Sequence, residues 1–410
     1  MNPTPDLASV FRAEHGRVVA SLARRFGDLD LAEDATGEAL VVAAERWPTE
    51  GVPPNPGGWL TTVAANKALD RIRREKRRQD KYAEVGRMDE RMGDEAPEPT
   101  GPVEDDRLRL VFTCCHPALA PDNRVALTLR LLGGLTVAEI AAAFLVPETT
   151  MAQRITRSKQ KIKTARIPYR IPGTDDLPQR LGAVLAVLYL IFNEGYLGTS
   201  GQAQRHELTS EAIRLARQLR EMVAGTPALG RLPEVDGLLA LMLLIESRAR
   251  ARVHDGVLVP LDEQDRTLWD ASMIDEGHRL VRSCLALNRP GPYQVQAAIN
   301  AVHTDALDAS MTDWSQVVAL YDQLLALSPS PVAALNRAVA VAEVDGPEVA
   351  LALVEPLELT SYHAWHVTRA DLLRRLGRYD EARAAYDRAI ELAGNEEQRT
   401  FLQSRRDSLR

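Results

Sequence analysis

Residues 135–163 read LTVAEIAAAFLVPETTMAQRITRSKQKIK, and this stretch predicts a helix-turn-helix. Thr136 stands three residues before Glu139, which is the spacing of a capping box at the start of a helix. Pro147 suits the first position of the next helix, because the N–H that proline lacks would be unsatisfied there. The turn of such motifs usually contains a glycine able to adopt positive φ, but Leu145 occupies that place here.

The second helix of this pair, from about Glu148 to Lys163, is amphipathic. Met151, Ile155 and Ile162 recur at helical spacing and predict its buried side. We expect the outward side to carry Thr149, Thr150, Gln153, Arg154, Arg157, Ser158 and Lys161. Polar and basic side chains near the N-terminus of a helix are what reading the DNA major groove requires. An ordinary helical hairpin is the alternative interpretation.

Charge is distributed unevenly along the chain. The net charge of −7, taken alone, argues against a nucleic-acid partner. Residues 66–81, however, hold eight Lys or Arg against three acids, and residues 149–174 hold seven and no acid. Residues 89–106 hold eight acids and one Arg. This pattern predicts two phosphate-binding modules on an acidic linker, whereas solvated helix faces are the alternative.

Apolar periodicity predicts an all-α fold. Residues 7–80 predict a bundle of three or four helices, in which Pro48 ends the second helix and the third starts at about Trp59. Residues 81–104 lack a strong apolar period and contain three prolines, so they predict a flexible linker.

Helices resume over residues 105–167, the part of the chain that contains the helix-turn-helix. Three prolines (Pro168, Pro172 and Pro178) then mark a boundary. The sequence beyond it predicts a C-terminal helical domain over residues 178–410.

The last hundred residues contain a tetratricopeptide-like pattern, in which small and aromatic residues let antiparallel helices pack closely. Its positions are Ala370, Leu373, Gly377, Tyr379, Ala382, Tyr386 and Ala389. A partial earlier copy holds Trp314, Tyr321, Leu324 and Pro329, and the copy between them, around Gly346, is degenerate. We expect a short solenoid, because a single helical hairpin cannot bury its apolar face alone. An irregular helical array is the alternative.

Composition and motifs predict a soluble cytoplasmic protein without enzymatic chemistry. The N-terminus lacks a secretory signal, and the longest apolar run, Leu181–Phe192, is too short to span a bilayer. Cys114, Cys115 and Cys284 do not make a disulfide framework. The chain contains no P-loop, GxGxxG, HExxH or GxSxG motif.

Three short polar stretches are weak candidates for chemical sites. Cys114-Cys115-His116 lacks the separated ligands that zinc needs, so we expect a buried cysteine pair and no metal or cofactor. Asn193–Gly195 is expected to stop a helix. His254–Gly256 is expected to form a turn.

Two further stretches carry a family resemblance. Residues 28–40 (DLDLAEDATGEAL) and 55–74 (NPGGWLTTVAANKALDRIRR) resemble region 2 of extracytoplasmic-function sigma factors of bacterial RNA polymerase. The helix-turn-helix resembles region 4 of that family. The acidic linker of this chain lies between the two segments, where the family also has its linker. Thr113–Leu119 and Phe192–Tyr196 resemble segments of a subgroup with a long tetratricopeptide-like extension. The resemblance covers nearly the whole chain.

The resemblance implies a binding surface for core RNA polymerase and a path for the linker. The helix from Leu31 to Arg46 would dock on the clamp helices of the β′ subunit, and region 4 would contact the β flap. The polymerase-binding residues would be Leu31, Glu33, Asp34 and Glu38. The acidic linker would run through the RNA path of the polymerase, where it would imitate the charge of RNA.

The resemblance also implies two promoter-binding helices. The helix from about Glu148 to Lys163 would read the −35 element, and the helix from Trp59 to Arg78 would bind the −10 element. The residues assigned to the −10 element are Trp59, Asn66, Lys67, Asp70, Arg71, Arg73, Arg74, Arg77 and Arg78. Their cations would hold phosphates, and Trp59, Asn66 and the Asn55–Gly58 loop are candidates for capturing unstacked bases. Two alternatives stay open: Trp59 closes the bundle core, and Asp70 only organises the neighbouring arginines.

The function that follows is a sigma factor whose C-terminal repeats regulate it, with a regulatory protein or ligand as a further partner. A stand-alone helix-turn-helix regulator with a sensing domain is the first alternative, but it leaves the region 2-like block unexplained. A scaffold in which only the repeats act is the second, but it needs neither basic block.

Overall fold

The computed structural model describes residues 7–83, 104–144, 146–173, 175–197, 206–224, 231–254, 257–394 and 396–409. These residues form eighteen α-helices, short 3-10 turns and one hairpin of two-residue strands. The expected all-α class is therefore confirmed, with the hairpin as a small addition. The contacts divide the chain into two compact units, residues up to Gly195 with His206–Gln218, and Tyr196–Arg205 with Leu219–Arg410.

The first unit is built from the first seven helices and most of the eighth and ninth. They are α1 (Leu7–Phe26), α2 (Leu29–Glu50), α3 (Pro56–Ala83), α4 (Glu104–Cys114), α5 (Pro121–Leu131), α6 (Val137–Ala143), α7 (Glu148–Thr164), α8 (Leu177–Leu197) and α9 (His206–Ala224). Most of α8 and the first part of α9, which the sequence groups with the C-terminal domain, thus lie in the first unit. The helix stop expected at Asn193–Gly195 is wrong, because α8 continues to Leu197.

Helices α1, α2 and α3 form a three-helix bundle around an alanine-rich core. The prediction that Pro48 ends α2 is wrong, because the helix continues to Glu50 and stops at Gly51, whose φ is 84°. A proline in the last turn removes only one backbone hydrogen bond, so the helix tolerates it. Helix α3 begins at Pro56, three residues before the expected start, and the Asn55 carboxamide accepts a hydrogen bond from the Gly58 N–H at 2.9 Å.

The linker expected over residues 81–104 lies largely outside the described residues, because α3 extends to Ala83 and α4 begins at Glu104. The expected helix-turn-helix is present as α6 and α7. The Glu139 carboxylate accepts from the Thr136 N–H at 2.8 Å, and the Thr136 hydroxyl accepts from the Glu139 N–H at 3.2 Å. This geometry confirms the capping box. Leu145 in the turn lies outside the described residues.

The second unit holds the remaining helices and the hairpin. They are α10 (Pro233–Glu246), β1 (Val253–His254), β2 (Val257–Leu258), α11 (Ala271–Ala286), α12 (Pro292–Asp305), α13 (Trp314–Leu327), α14 (Pro331–Val344), α15 (Pro347–Val354), α16 (His363–Arg375), α17 (Tyr379–Glu391) and α18 (Glu396–Asp407). The strands pair antiparallel with His254 opposite Val257. The turn expected at His254–Gly256 includes Asp255 and Gly256, which lie outside the described residues.

Each helix from α12 to α17 packs against the next one along the chain. In the last pair, Ala370 and Ala382 are fully buried, and Gly377 makes the turn with a φ of 73°. The middle pair is shortened, since α15 has only eight residues, and this agrees with the degenerate pattern around Gly346. The repeat-like C-terminal part is confirmed.

Candidate nucleic-acid interface

Helix α7 presents a polar stripe to solvent on the side opposite its core residues. Met151, Ile155 and Ile162 are buried, as expected. The exposed members of the predicted set follow one another at intervals of four residues, and we call them the α7 stripe: Thr149, Gln153, Arg157 and Lys161. A row of this length, two of whose members are cations, can meet both base edges and phosphates in a major groove.

The outward assignment of Ser158 is wrong. Its side chain is buried, and its hydroxyl donates to the Arg154 carbonyl at 2.7 Å. Ser158 stands seven residues after Met151 and therefore lies on the buried side of the helix. Thr150 and Arg154 are half-buried, at the edge of the α7 stripe.

Helix α3 carries a dense basic surface from Asn66 onward. Its exposed members, which we call the α3 basic surface, are Asn66, Asp70, Arg71, Arg73, Arg74 and Arg77. Lys67 is half-buried, and the side chain of Arg78 lies outside the described part of the chain. Cations spaced along one helix can neutralise successive phosphates of a nucleic-acid backbone.

Several cations of α3 pair with carboxylates. Arg71 lies 2.6 Å from Asp34 and Lys67 lies 3.8 Å from Glu38, both across to α2. Arg73 lies 3.8 Å from Asp70 on the same helix. These groups are largely exposed, so each pair contributes at most about 1 kcal/mol and can be exchanged for a phosphate. The contact of Asp70 with Arg73 agrees with an organising role for Asp70.

Trp59 packs inside the bundle rather than standing free in solvent. Its ring meets Trp47 edge-on with centroids 5.3 Å apart, and Trp47 in turn contacts Phe11 at 5.5 Å. Trp59 is half-buried, while Trp47 is buried. The three rings close one end of the bundle, which favours the core role for Trp59.

The four residues expected to bind polymerase are not equally accessible. Asp34 and Glu38 each expose nearly half of their side chains, and Leu31 is half-buried. Val41 extends the same side of α2 and is well exposed. Glu33 differs from the others, since only 11% of its side chain is exposed.

Glu33 is held by two cations of the helix-turn-helix part. Arg130 Nε lies 2.6 Å from Glu33 Oε1, and Lys159 Nζ lies 2.8 Å from Glu33 Oε2. Lys159 also lies 2.6 Å from Asp30, and Lys163 lies 3.1 Å from Asp28. Burial on its own raises the pKa of Glu33, but Arg130 and Lys159 outweigh it and lower that pKa below its ordinary value. Glu33 is therefore a carboxylate in this arrangement.

Further contacts join the bundle to the helix-turn-helix part. The Tyr169 hydroxyl lies 2.9 Å from the Ala20 carbonyl of α1 and 3.0 Å from the Asp106 carbonyl of α4. Gly16 packs so closely that a Cβ there would lie 2.4 Å from the Leu132 carbonyl oxygen. Sequence reasoning missed these contacts. A glycine inside an otherwise regular helix was the one available signal.

The extension contributes a contact at the same joint. The buried Arg107 of α4 donates to both carboxylate oxygens of Glu211 in α9 at 3.1 Å, and to the Ala13 carbonyl of α1 at 3.3 Å. Arg180 of α8 donates to the Phe112 carbonyl. Burial lowers the pKa of Arg107 to about 10, which leaves it charged at neutral pH.

The short polar stretches do not assemble into a chemical site in the described part of the chain. Cys114 and Cys115 are buried, and burial raises the pKa of both thiols. The His116 ring accepts from the Ala118 N–H at 3.2 Å. No group of three metal-ligating side chains occurs among the described residues. None of their helices is long and apolar enough to cross a membrane.

The repeat-like unit contains a groove of about 740 Å³. Arg266 and His303 lie on its wall together with the acids Asp262, Glu343 and Asp371. Burial lowers the pKa of His303 to about 4, so this histidine is neutral at pH 7. A groove that holds both signs of charge can take a peptide or another zwitterionic ligand.

Comparison with known proteins agrees with this architecture. Family models match at residues 10–78 (Sigma-70 region 2), 109–162 (Sigma-70, region 4), 180–285 (a family of unknown function) and 363–396 (Tetratricopeptide repeat). Uncharacterized protein R00370 of Rhizobium meliloti (strain 1021) is 43% identical over 411 residues, 98% of this chain and 95% of that protein.

A second relative matches a smaller share of the chain. The ECF RNA polymerase sigma factor SigK of Mycobacterium ulcerans (strain Agy99) is 27% identical over 143 residues, which are 34% of this chain and 74% of that protein. No solved structure matches the chain. The α3 basic surface and the α7 stripe thus lie in segments matched by the region 2 and region 4 models, respectively.

Proposed function

This chain belongs to the sigma-70 family, with region 2, region 4 and a C-terminal tetratricopeptide repeat, and we propose that it is an extracytoplasmic-function sigma factor. It binds core RNA polymerase in the cytoplasm and directs initiation at specific promoters. The observation that carries this proposal is the pair of separate basic helices, α3 and α7, each on its own scaffold and each matched by the corresponding sigma region.

Promoter recognition is divided between the two helices. The α7 stripe reads the −35 element through Arg157, Gln153 and Thr149, and Ser158 is left out because it is buried. The α3 basic surface and the neighbouring Lys67 hold the −10 backbone, with phosphates replacing Asp34 and Glu38 as partners of Arg71 and Lys67.

Polymerase binding uses the exposed side of α2. Asp34, Glu38 and the apolar Val41 offer acidic and hydrophobic groups to the β′ clamp helices, beside the half-buried Leu31. Region 4 contacts the β flap. The C-terminal unit regulates the protein through a peptide or small ligand, and its mixed-charge groove supports that part of the proposal. The protein performs no chemistry of its own.

Run-off transcription on fragmented genomic DNA tests the proposal, because it samples every promoter of the genome at once and needs no chosen template. Core polymerase with the full-length protein should yield transcripts that start downstream of one shared pair of motifs, and core alone should not. Arg157→Ala should remove most of these transcripts. Duplex binding without polymerase, together with no transcripts, would favour the stand-alone regulator instead.

A further inference from the structure

We propose that the groove of the repeat-like unit binds a short peptide of about three residues or more between two charged ends. The C-terminal carboxylate of the peptide meets Arg266, and its N-terminal ammonium meets Glu343 and Asp371. This inference rests on the proposed regulatory role of the C-terminal unit, and it names the chemical class and the orientation of the ligand.

The first argument is the set of donors at the basic end of the groove. In the described part of the chain, Arg266 donates from Nη1, to the His303 carbonyl at 2.8 Å and to the Ala306 carbonyl at 2.6 Å. Its guanidinium carbon lies 4.5 Å from the centre of the Trp269 ring, a contact that helps to hold the plane of the group. The remaining N–H groups, on Nε and Nη2, can donate together to one carboxylate, which is the bidentate geometry in which arginine binds that group.

The second argument is the positive charge behind this end of the groove. Arg248 is buried, donates to Asn300 Oδ1 at 2.7 Å, and has no hydrogen-bond partner for its Nε among the described residues. Burial, and then the charges of Arg248 and Arg266, lower the pKa of His303 to about 4, so both arginines lie near this histidine. A buried cation held by a neutral amide is costly unless a negative charge lies nearby, and a carboxylate bound at Arg266 supplies one.

The third argument is the pair of acids that line the groove on helices α14 and α16. Glu343 pairs with Arg375 at 2.6 Å, and Asp371 pairs with Arg374 at 2.7 Å. A single carboxylate oxygen accepts in each pair, which is Oε1 of Glu343 and Oδ1 of Asp371. Each acid therefore keeps a second oxygen that can accept from the three N–H groups of an ammonium.

The positions of the two ends set the length of the ligand. Arg266 holds the last carbonyls of α12, whereas the acids lie on α14 and α16. Packed helices lie about 8–10 Å apart, but a free amino acid carries both of its charges on one carbon atom. Three residues of extended chain span about 10 Å. We therefore expect a tripeptide to reach both ends and a single amino acid to reach one.

Apolar and aromatic side chains from α13 and α14 also line the groove. The half-buried Trp314 meets His303 edge-on with ring centroids 5.3 Å apart, and Val317 and Ala340 are buried beside the groove. An aromatic face of this kind suits an aromatic or apolar side chain in the middle of the peptide. The volume of about 740 Å³ falls in the range of about 300–1,000 Å³ that is typical of ligand sites.

Isothermal titration calorimetry of the full-length protein with the peptide Ala-Phe-Ala tests the proposal, because it needs neither polymerase nor DNA. The peptide is compared with its C-terminal amide and its N-acetyl form, each of which lacks one charge. We expect the free peptide to bind, and each blocked form to bind about tenfold more weakly because a hydrogen bond between charged groups is lost. Free phenylalanine should also bind about tenfold more weakly, because it reaches only one end.

Two substitutions identify which residue holds which terminus. Arg266→Lys keeps the charge but removes the planar pair of donors, so it should weaken binding of the free and acetylated peptides about tenfold and that of the amide less than about twofold. Glu343→Gln should weaken binding of the free and amidated peptides and leave that of the acetylated one within about twofold. The matched controls Arg250→Lys and Glu348→Gln, at exposed positions outside the groove, should stay within about twofold of the wild type. Circular dichroism checks that all four variants are folded.

The results that overturn the proposal do not bear on the sigma function. Absence of binding by the free peptide refutes the groove as a peptide site. Equal affinity for the free, amidated and acetylated peptides, or for free phenylalanine, refutes the two charged ends. Equal weakening of all three peptide forms by a folded Arg266→Lys protein refutes the assigned orientation. Failure of the sigma function would instead appear as absence of binding to core polymerase, whatever the peptide affinities are.

Discussion

Arg130 and Glu33 form an ion pair with 2.6 Å between Nε and Oε1, although they stand 97 residues apart in the sequence. The pair joins the end of α5 to the second turn of α2. It places a cation of the region 4 segment on a carboxylate next to the side of α2 that we propose binds polymerase. We therefore expect substitutions at this ion pair between α5 and α2 to affect both stability and function.

Removing the Glu33 charge should lower the free energy of unfolding of region 2 at neutral pH. It should also remove the part of the pH dependence of that free energy that comes from Glu33. Although burial alone raises the pKa of Glu33, Arg130 and Lys159 lower it below the ordinary 4.5. Because the folded pKa is the lower one, the stabilisation is complete above about pH 4.5 and is lost as the pH falls through the folded pKa. Glu33→Gln should cost about 3 kcal/mol at pH 7, because it leaves the charges of Arg130 and Lys159 without their carboxylate partner.

Hydrogen exchange of the α2 amides, corrected for intrinsic rates, measures this effect. The variant should lack the steep loss of protection that the wild type shows below pH 4.5. Glu45→Gln, at an exposed position of the same helix, serves as control. Equal pH profiles of α2 protection in the wild type and in Glu33→Gln would show that protonation of Glu33 does not cause the loss of protection.

His15 should make the stability of α1 depend on pH as well, over a higher pH range than Glu33. Burial, followed by the charge of Arg130, lowers its pKa from 6.5 to about 4. The folded state binds the proton more weakly, so the stabilisation is complete above pH 6.5 and is lost progressively as the pH falls toward 4. The loss amounts to about 3 kcal/mol.

His15→Gln should flatten the stability of α1 between pH 6.5 and 4, as measured by exchange of its amides. His206→Gln, at an exposed position on α9, is the matched control. A variant that keeps the full wild-type slope would show that another group titrates there.

Trp59→Ala should weaken the region 2 bundle by about 3 kcal/mol, because the ring fills the space beside Trp47. Trp59→Phe should keep most of the stability and most of the promoter opening, which a fluorescent base analogue in the −10 element reports. If the Trp59→Phe protein were as stable as the wild type but did not open the promoter, Trp59 would act by capturing a base and not as a core residue.

Alanine substitutions at the adjacent α7 residues Arg157 and Ser158 should have very different effects on transcription. Arg157→Ala should weaken promoter-dependent transcription about tenfold or more, since an exposed Arg that contacts DNA contributes about 1–3 kcal/mol. Ser158→Ala should change it less than twofold, because this hydroxyl is buried on its own helix. Run-off transcription at two salt concentrations makes the comparison, and a larger effect from Ser158→Ala would contradict it.

Sequence patterns among neighbouring residues predict the helices better than they predict the contacts between helices of different regions. Thr136 and Glu139 predict the start of α6, because a capping box forms between residues three apart. The outward position expected for Ser158 is wrong because its polar side chain suggests exposure, whereas its place seven residues after Met151 puts it on the buried side. Its hydroxyl bonds within the helix, so burial leaves no polar atom unsatisfied.

The contacts between the regions could not be predicted from one sequence. Lys159 pairs with Asp30 across 129 residues, and no spacing rule connects charges so far apart. The same limit applies to Glu211, which the sequence groups with the C-terminal domain but which lies in the first compact unit. Long-range ion pairs depend on tertiary packing, whereas caps and amphipathic stripes depend on neighbouring residues.

Binding to purified core RNA polymerase, in competition with the housekeeping sigma factor, tests the central claim most directly. The full-length protein should displace the labelled housekeeping sigma in a saturable manner, and combined reversal of charge at Asp34 and Glu38 should weaken this displacement. Failure of the wild-type protein to displace it at any concentration, with duplex DNA bound by the protein alone, would contradict the sigma assignment.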